Sequence, residues 1–137
     1  MYKRQLEGWT VGGERGVSQI RLGIRSLRSQ GAYARMPYWL SLLGDALSRE
    51  GADEKARAVL DAALVAAQQR DDRWWLPEVL RQRAALDTGQ RAVALVERGL
   101  LEATTQSSVE LARRCAADLE ALAVRRSSRG AERLANT

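Results

Sequence analysis

The chain has 137 residues, 45% of them hydrophobic and 28% charged, which is enough apolar material for one domain to bury a core without disulfide or metal support. One cysteine and no histidine rule out an internal disulfide and remove the commonest general base and the commonest metal ligand, so neither catalysis nor a metal is expected. The net charge is +5, and twenty of the 22 basic residues are arginine, a skew typical of high-GC bacterial coding; contact with nucleic acid is permitted, not established.

No apolar run approaches the roughly 18 residues of a membrane span, and no apolar signal region follows Met1. A cytoplasmic protein with no membrane partner is therefore the expectation. The stretch GWTVGGERG lacks the lysine and hydroxyl that would hold phosphates and a metal. Gly12 and Gly13 then read as a turn, and Gly16 and Gly23 as close-packing positions.

In ERGVSQIRLGIRSLRSQ, Val17, Ile20, Ile24 and Leu27 share one helical stripe, while Arg21, Arg25 and Arg28 lie one residue further round. The next helix, Pro37 to Glu50, opens with proline in its first turn and stops at Gly51. Its apolar residues Trp39, Leu40, Leu42, Leu43, Ala46 and Leu47 exceed one stripe, which demands cover from two sides. Asp53 is placed to cap a helix Glu54 to Gln69, with a narrow stripe of Ala56, Leu60, Ala63, Leu64 and Ala67. Asp71 or Asp72 opens a further helix to Asp87, broken by Thr88 and Gly89. Pro77 inside it would cost about 3 kcal/mol, so regular helix should begin within a residue or two of Trp74. A helix Gln90 to Ala103 presents Ala92, Val96, Gly99 and Leu100. Another starts near Ser107 or Ser108 with Leu111, Cys115, Leu119 and Leu122 on its stripe; RRSSRG, 125 to 130, should interrupt it before a short last helix. The total is seven or eight helices with short, antiparallel connections and no strand.

Gly16, Ile20 and Gly23 match Ala56, Leu60 and Ala63, which match Ala92, Val96 and Gly99: small, apolar, small, at periods of 40 and then 36 residues. Such periods belong to helix-pair solenoids. The segment PYWLSLLGDALSREGADEKARAVLDAAL resembles a tetratricopeptide repeat, with Leu40, Leu43, Gly44 and Leu47 at signature positions of its first helix and Ala56, Leu60 and Ala63 at those of its second. GWTVGGERGVSQIRLGIRSLRSQGAYARMPYWLSLLGDAL, with RDDRWWLPEVLRQRAALD, is similar to the C-terminal repeat region of bacterial signalling proteins. In those, repeats follow a nucleotide cyclase (adenylate or guanylate) or a DNA-binding transcriptional regulator domain and an ATPase module. The similarity runs from Gly8 to about Leu122.

The resemblance implies an all-α, tetratricopeptide-like (TPR-like) solenoid of antiparallel helix pairs in a right-handed superhelix. It would form one domain over 1–137, as a partial repeat 1–33, repeats 34–70 and 71–104, and a partial repeat 105–137. The family has a helix former where this chain has Pro77, and its linker before that repeat's second helix is about a turn longer. The second repeat aligns either gap-free, Trp74 and Trp75 under Tyr38 and Trp39, or one turn shifted, Ala84 under Gly44. The shifted form is preferred because the other puts Arg83 under the apolar Leu47. No GxxxxGK[ST] and no metal-binding carboxylate pair occurs, so the chain would be the scaffold without the enzyme and without a cofactor.

Adjacent tryptophans on a helix point about 100° apart, so Trp74 and Trp75 must do different work, one packing between helix pairs and the other facing a groove or closing the helix start. In this repeat type the first helix of each pair lines the groove, which nominates Tyr38, Ser41, Asp45 and Arg49, then Trp74, Glu78 and Arg81, then Glu110 and Arg114. Against this, Asp45 with Arg49 and Glu78 with Arg81 read equally as solvated surface pairs. Cys115 reads as core. The leading expectation is a non-enzymatic module binding a protein or peptide, or itself as a homodimer that covers apolar ends left uncapped by partial repeats. The alternative is a basic regulator touching nucleic acid through arginines such as Arg21, Arg25 and Arg28 or Arg125, Arg126 and Arg129, a weak signal without interleaved aromatics.

Overall fold

A computed structural model describes residues 13–136, and these form six helices and no strand. They are α1 (Gly13–Ser29), α2 (Met36–Arg49), α3 (Asp53–Gln69), α4 (Leu76–Ala84), α5 (Gly89–Thr105) and α6 (Val109–Ala135). The turn expected at Gly12 lies outside the described residues, and Gly13 is already helical.

The connectors explain where the helices stop. After α1, α2, α3 and α5 the helix closes on a left-handed residue: Gly31 at φ 72°, Gly51 at φ 79°, Asp71 at φ 51° and Ser107 at φ 60°; Arg35, at φ 59°, is a second one just before α2. Each time the next residue's N–H reaches back five residues: Ala32 to Leu27 O, Ala52 to Leu47 O, Asp72 to Ala67 O and Ser108 to Ala103 O, at 2.8–2.9 Å. That six-residue closure satisfies carbonyls the helix end would otherwise leave open. Glycine fills the position without a steric cost at Gly31 and Gly51; aspartate and serine accept the cost at the other two.

Pro37 and Pro77 both stand in the first turn of their helices, where a missing N–H is harmless. They are 40 residues apart, the same separation as Gly44 and Ala84, although the residue before α2 is left-handed (Arg35, φ 59°) and the one before α4 is not (Trp75, φ −103°). Regular helix begins at Leu76, two residues past Trp74, so Pro77 introduces no kink.

Three sequence expectations need correction. Asp53 does not cap α3; Ala52 holds the non-helical dihedrals and Asp53 is the first helical residue, where its carboxylate favours the helix dipole. Asp71 and Asp72 do not open a helix, because they belong to the closure of α3, and α4 ends at Ala84 rather than Asp87. RRSSRG does not interrupt α6, which runs through it to Ala135. Extending an existing helix by a residue costs far less than nucleating one, so two serines and a glycine among arginines are tolerated. The described residues hold six helices.

Packing follows the apolar stripes. Helix α2 touches α1, α3 and α4; helix α4 touches α2, α3, α5 and α6; α5 and α6 pack together. Val17, Ile20, Ile24 and Leu27 are buried on α1, as are all six apolar residues expected on α2. They join α3 and Val79 in one cluster, while Ala84, Ala92, Val96 and Cys115 form a second, and Ala67, Leu76 and Leu80 lie between. Ala56, Ala63 and Ala92 are fully buried and Gly16, Gly23 and Gly99 are buried with them. At Gly99 an added Cβ would stand 3.2 Å from Cys115 Sγ and 3.2 Å from the Pro77 carbonyl, so the small residue is what allows α5 to approach α4 and α6.

Candidate functional site

The residues nominated on α2, α4 and α6 lie on helices that do contact one another, and their side chains separate into three groups. The first is aromatic. Trp75 is half-buried against the core cluster, and its indole N–H donates to Ser41 Oγ at 3.1 Å; the Ser41 hydroxyl in turn donates to Gln82 Oε1 at 2.7 Å. Trp74 is 41% exposed. Tyr38 holds the two together, with ring centroids 5.8 Å from Trp74 and 5.2 Å from Trp75, and the Arg35 guanidinium lies 5.5 Å from the Trp74 ring centroid. Trp75 is thus the packing tryptophan and Trp74 the one that reaches solvent.

The second group is ionic. Glu78 is buried at 5% exposure, a costly place for a lone carboxylate, and Arg81 resolves the cost by a two-pronged bond at 2.7 and 3.1 Å. Arg114 adds a contact at 3.4 Å from α6, and Arg81 reaches Asp118 at 3.1 Å. Hydrogen bonding to Glu78 pushes the Arg81 pKa above its already high ordinary value, against the effect of burial. The network then runs out to the surface, where Arg113 and Arg114 both bond Glu110 and hold its carboxyl down to about 2. The pair Glu78 and Arg81 of α4 therefore ties α4 to α6 through Arg114 and Asp118, whereas Asp45 and Arg49 pair within α2 at 3.1 Å.

The third feature is a cleft of about 910 Å³ between the 70–75 connector and the start of α6. Trp74, Glu110 and Arg114 of the nominated residues line it, with Trp75 and Leu111 supplying apolar wall. Ser41 and Glu78 are buried and face neither this cleft nor solvent; Tyr38 stands behind Trp74; Asp45 and Arg49 lie elsewhere on α2. Sequence reasoning missed Arg73, Glu102 and Gln106. Arg73 bonds Glu102, lowering that carboxyl's pKa, and Gln106 Nε2 donates to the Arg73 carbonyl at 2.6 Å. These partners are about 30 residues apart, so no helical spacing announces them.

Burial pushes the Cys115 thiol up to about 11, with the Glu78 charge adding to it, so the thiolate is scarce near neutrality. Among the described residues no group of three histidine, cysteine, aspartate or glutamate side chains could hold a metal ion, and no helix is long and apolar enough to cross a membrane. Arg21, Arg25 and Arg28 are exposed along α1, and Arg125, Arg126 and Arg129 along the far end of α6. Compared with known proteins, the chain matches no family model, no curated protein and no solved structure.

Proposed function

We propose that the chain is a non-catalytic, tetratricopeptide-like interaction module that seats a protein or peptide partner in the cleft beside Trp74. Contacts from α2 to α4 and from α4 to α6, with the paired helices α3 and α5 behind them, support a solenoid reading of the helices. The observation that carries the functional reading is Trp74: an indole 41% exposed, backed by Tyr38 and Trp75 and opening on a cleft with paired charges and an apolar wall. Tryptophan in such a setting is the residue type that most often dominates protein interfaces. A regulatory setting, of the bacterial kind that the sequence resemblance implies, belongs to the same proposal.

Self-association remains within this reading, because Val124 and Leu134 are 65% and 80% exposed on the end of α6. The test is capture of partners from the native cell extract by the wild-type chain and by Trp74→Ala and Arg114→Ala variants. Loss of the captured partner with unchanged thermal stability supports the cleft. Undiminished capture by both variants contradicts it.

A further inference from the structure

A second surface, on the opposite flank of α2 from the aromatic cleft's α4 side, combines an arginine row with apolar side chains. Arg21, Arg25 and Arg28 follow at i, i+4 and i+7 along α1, covering about 10 Å of its axis. All three border a cleft of about 320 Å³ whose floor is Ile24, Leu40, Leu43 and Val59, and whose far wall is two alanines of α3. Every described residue lining it is either arginine or apolar. None of the three arginines takes part in an ion pair among the described residues, although the protein pairs arginines with carboxylates elsewhere, at Glu78, Asp61, Glu102 and Glu110. The groove along the end of α6 is different: there the arginines share the lining with Asp87 and Glu97.

We infer that the α1–α3 cleft docks an acidic amphipathic helical segment of a partner protein, lying along α1. Its apolar residues would enter the floor between α1 and α3, and carboxylates recurring at three- and four-residue spacing would meet Arg21, Arg25 and Arg28. Two features single out this occupant. Guanidinium groups bind carboxylates through paired N–H donors, so a regular row of three selects a row of acids. The floor needs apolar side chains as well, which a helix supplies on one face and a phosphodiester strand does not. The inference rests on the reading of the chain as an interaction module but uses a different face.

The probe is a fluorescein-labelled peptide with glutamates at i, i+4 and i+7 and leucines on the adjoining stripe, followed by anisotropy. A peptide of the same composition in scrambled order and a labelled single-stranded oligonucleotide are the other arms. The intact chain should bind the patterned peptide at least tenfold more tightly than the scrambled one and than the oligonucleotide. The Arg21→Glu/Arg25→Glu variant should lose at least tenfold, Arg25→Gln a smaller part of it, and Trp74→Ala nothing. The substituted arginines are exposed, so thermal stability should hold in each. Binding that ignores pattern, binding unchanged in the charge-reversed variant, preference for the oligonucleotide, or loss in Trp74→Ala would each overturn the inference. Retention of peptide binding by Trp74→Ala, where native-partner capture is lost, separates this surface from the cleft beside Trp74.

Discussion

Helix α4 and the second half of α6 are stabilised in opposite ways. Helix α4 has only nine residues, too few to persist alone in water, yet seven of them are buried and four other helices touch it. Residues 123–135 of α6 are exposed throughout, and their helix continues on intrinsic propensity and on the nucleus provided by the packed segment before it. Tertiary burial makes the short helix the keystone between the two core clusters, while the end of α6 extends with little burial beside Asp87 and Glu97. Trp74 leads into α4 and remains open to solvent.

Removing a side chain from the keystone should have the largest effect. Leu80 is fully buried between the two clusters, and Leu80→Ala should destabilise by about 2–5 kcal/mol in denaturant unfolding. A loss below about 1 kcal/mol would mean that α4 does not join the clusters. The complementary change is Gly130→Ala, where an added Cβ meets nothing within 4 Å. It should strengthen the α6 end locally by up to about 1 kcal/mol and raise the far-UV helical signal, with the global unfolding midpoint unmoved. A midpoint that rises in step would show the end coupled to the core after all.

The smallest effect is a pH dependence. Glu110 carries a folded-state pKa lowered from 4.5 to about 2 by Arg113 first and Arg114 second. Its unfolded form binds more protons within that window, so its contribution is present above about pH 4.5 and is lost as pH falls through about 2. Because Glu110 is exposed, the change is small and salt-sensitive, and it should disappear in Glu110→Gln. An unaltered acid limb in that variant would remove the carboxylate from the explanation.

Helical stripes were legible because burial repeats every 3.6 residues: Val17, Ile20, Ile24, Leu27, Ala56, Leu60, Ala92 and Val96 are all buried as their spacing implies. Ends were less legible. Gly31 and Gly51 announce a left-handed closure, but Asp71 and Ser107 do the same job with residues that also serve as N-caps, and aspartate at 53 and 71 invited the wrong assignment. Arg83 shows a further limit. Its charge argued against an apolar position, yet it is 6% exposed, bonded to Asp61 at 2.9 Å and Asp87 at 2.7 Å. Arg83 can therefore stand in the interior, and its charge is no argument for either register. Of the residues nominated through the repeat resemblance, Trp74, Glu110 and Arg114 line the cleft, whereas Arg73, Glu102 and Gln106 come together only through tertiary packing.

The division of labour between the two adjacent indoles is tested most directly by thermal unfolding of Trp74→Ala and Trp75→Ala measured side by side. Trp75 lies against the core and bonds Ser41, so its truncation should cost about 3–5 kcal/mol, while truncation of Trp74 should cost less than about 1 kcal/mol. Equal losses, or a greater loss at Trp74, would contradict the assignment of Trp75 to packing and of Trp74 to the open cleft.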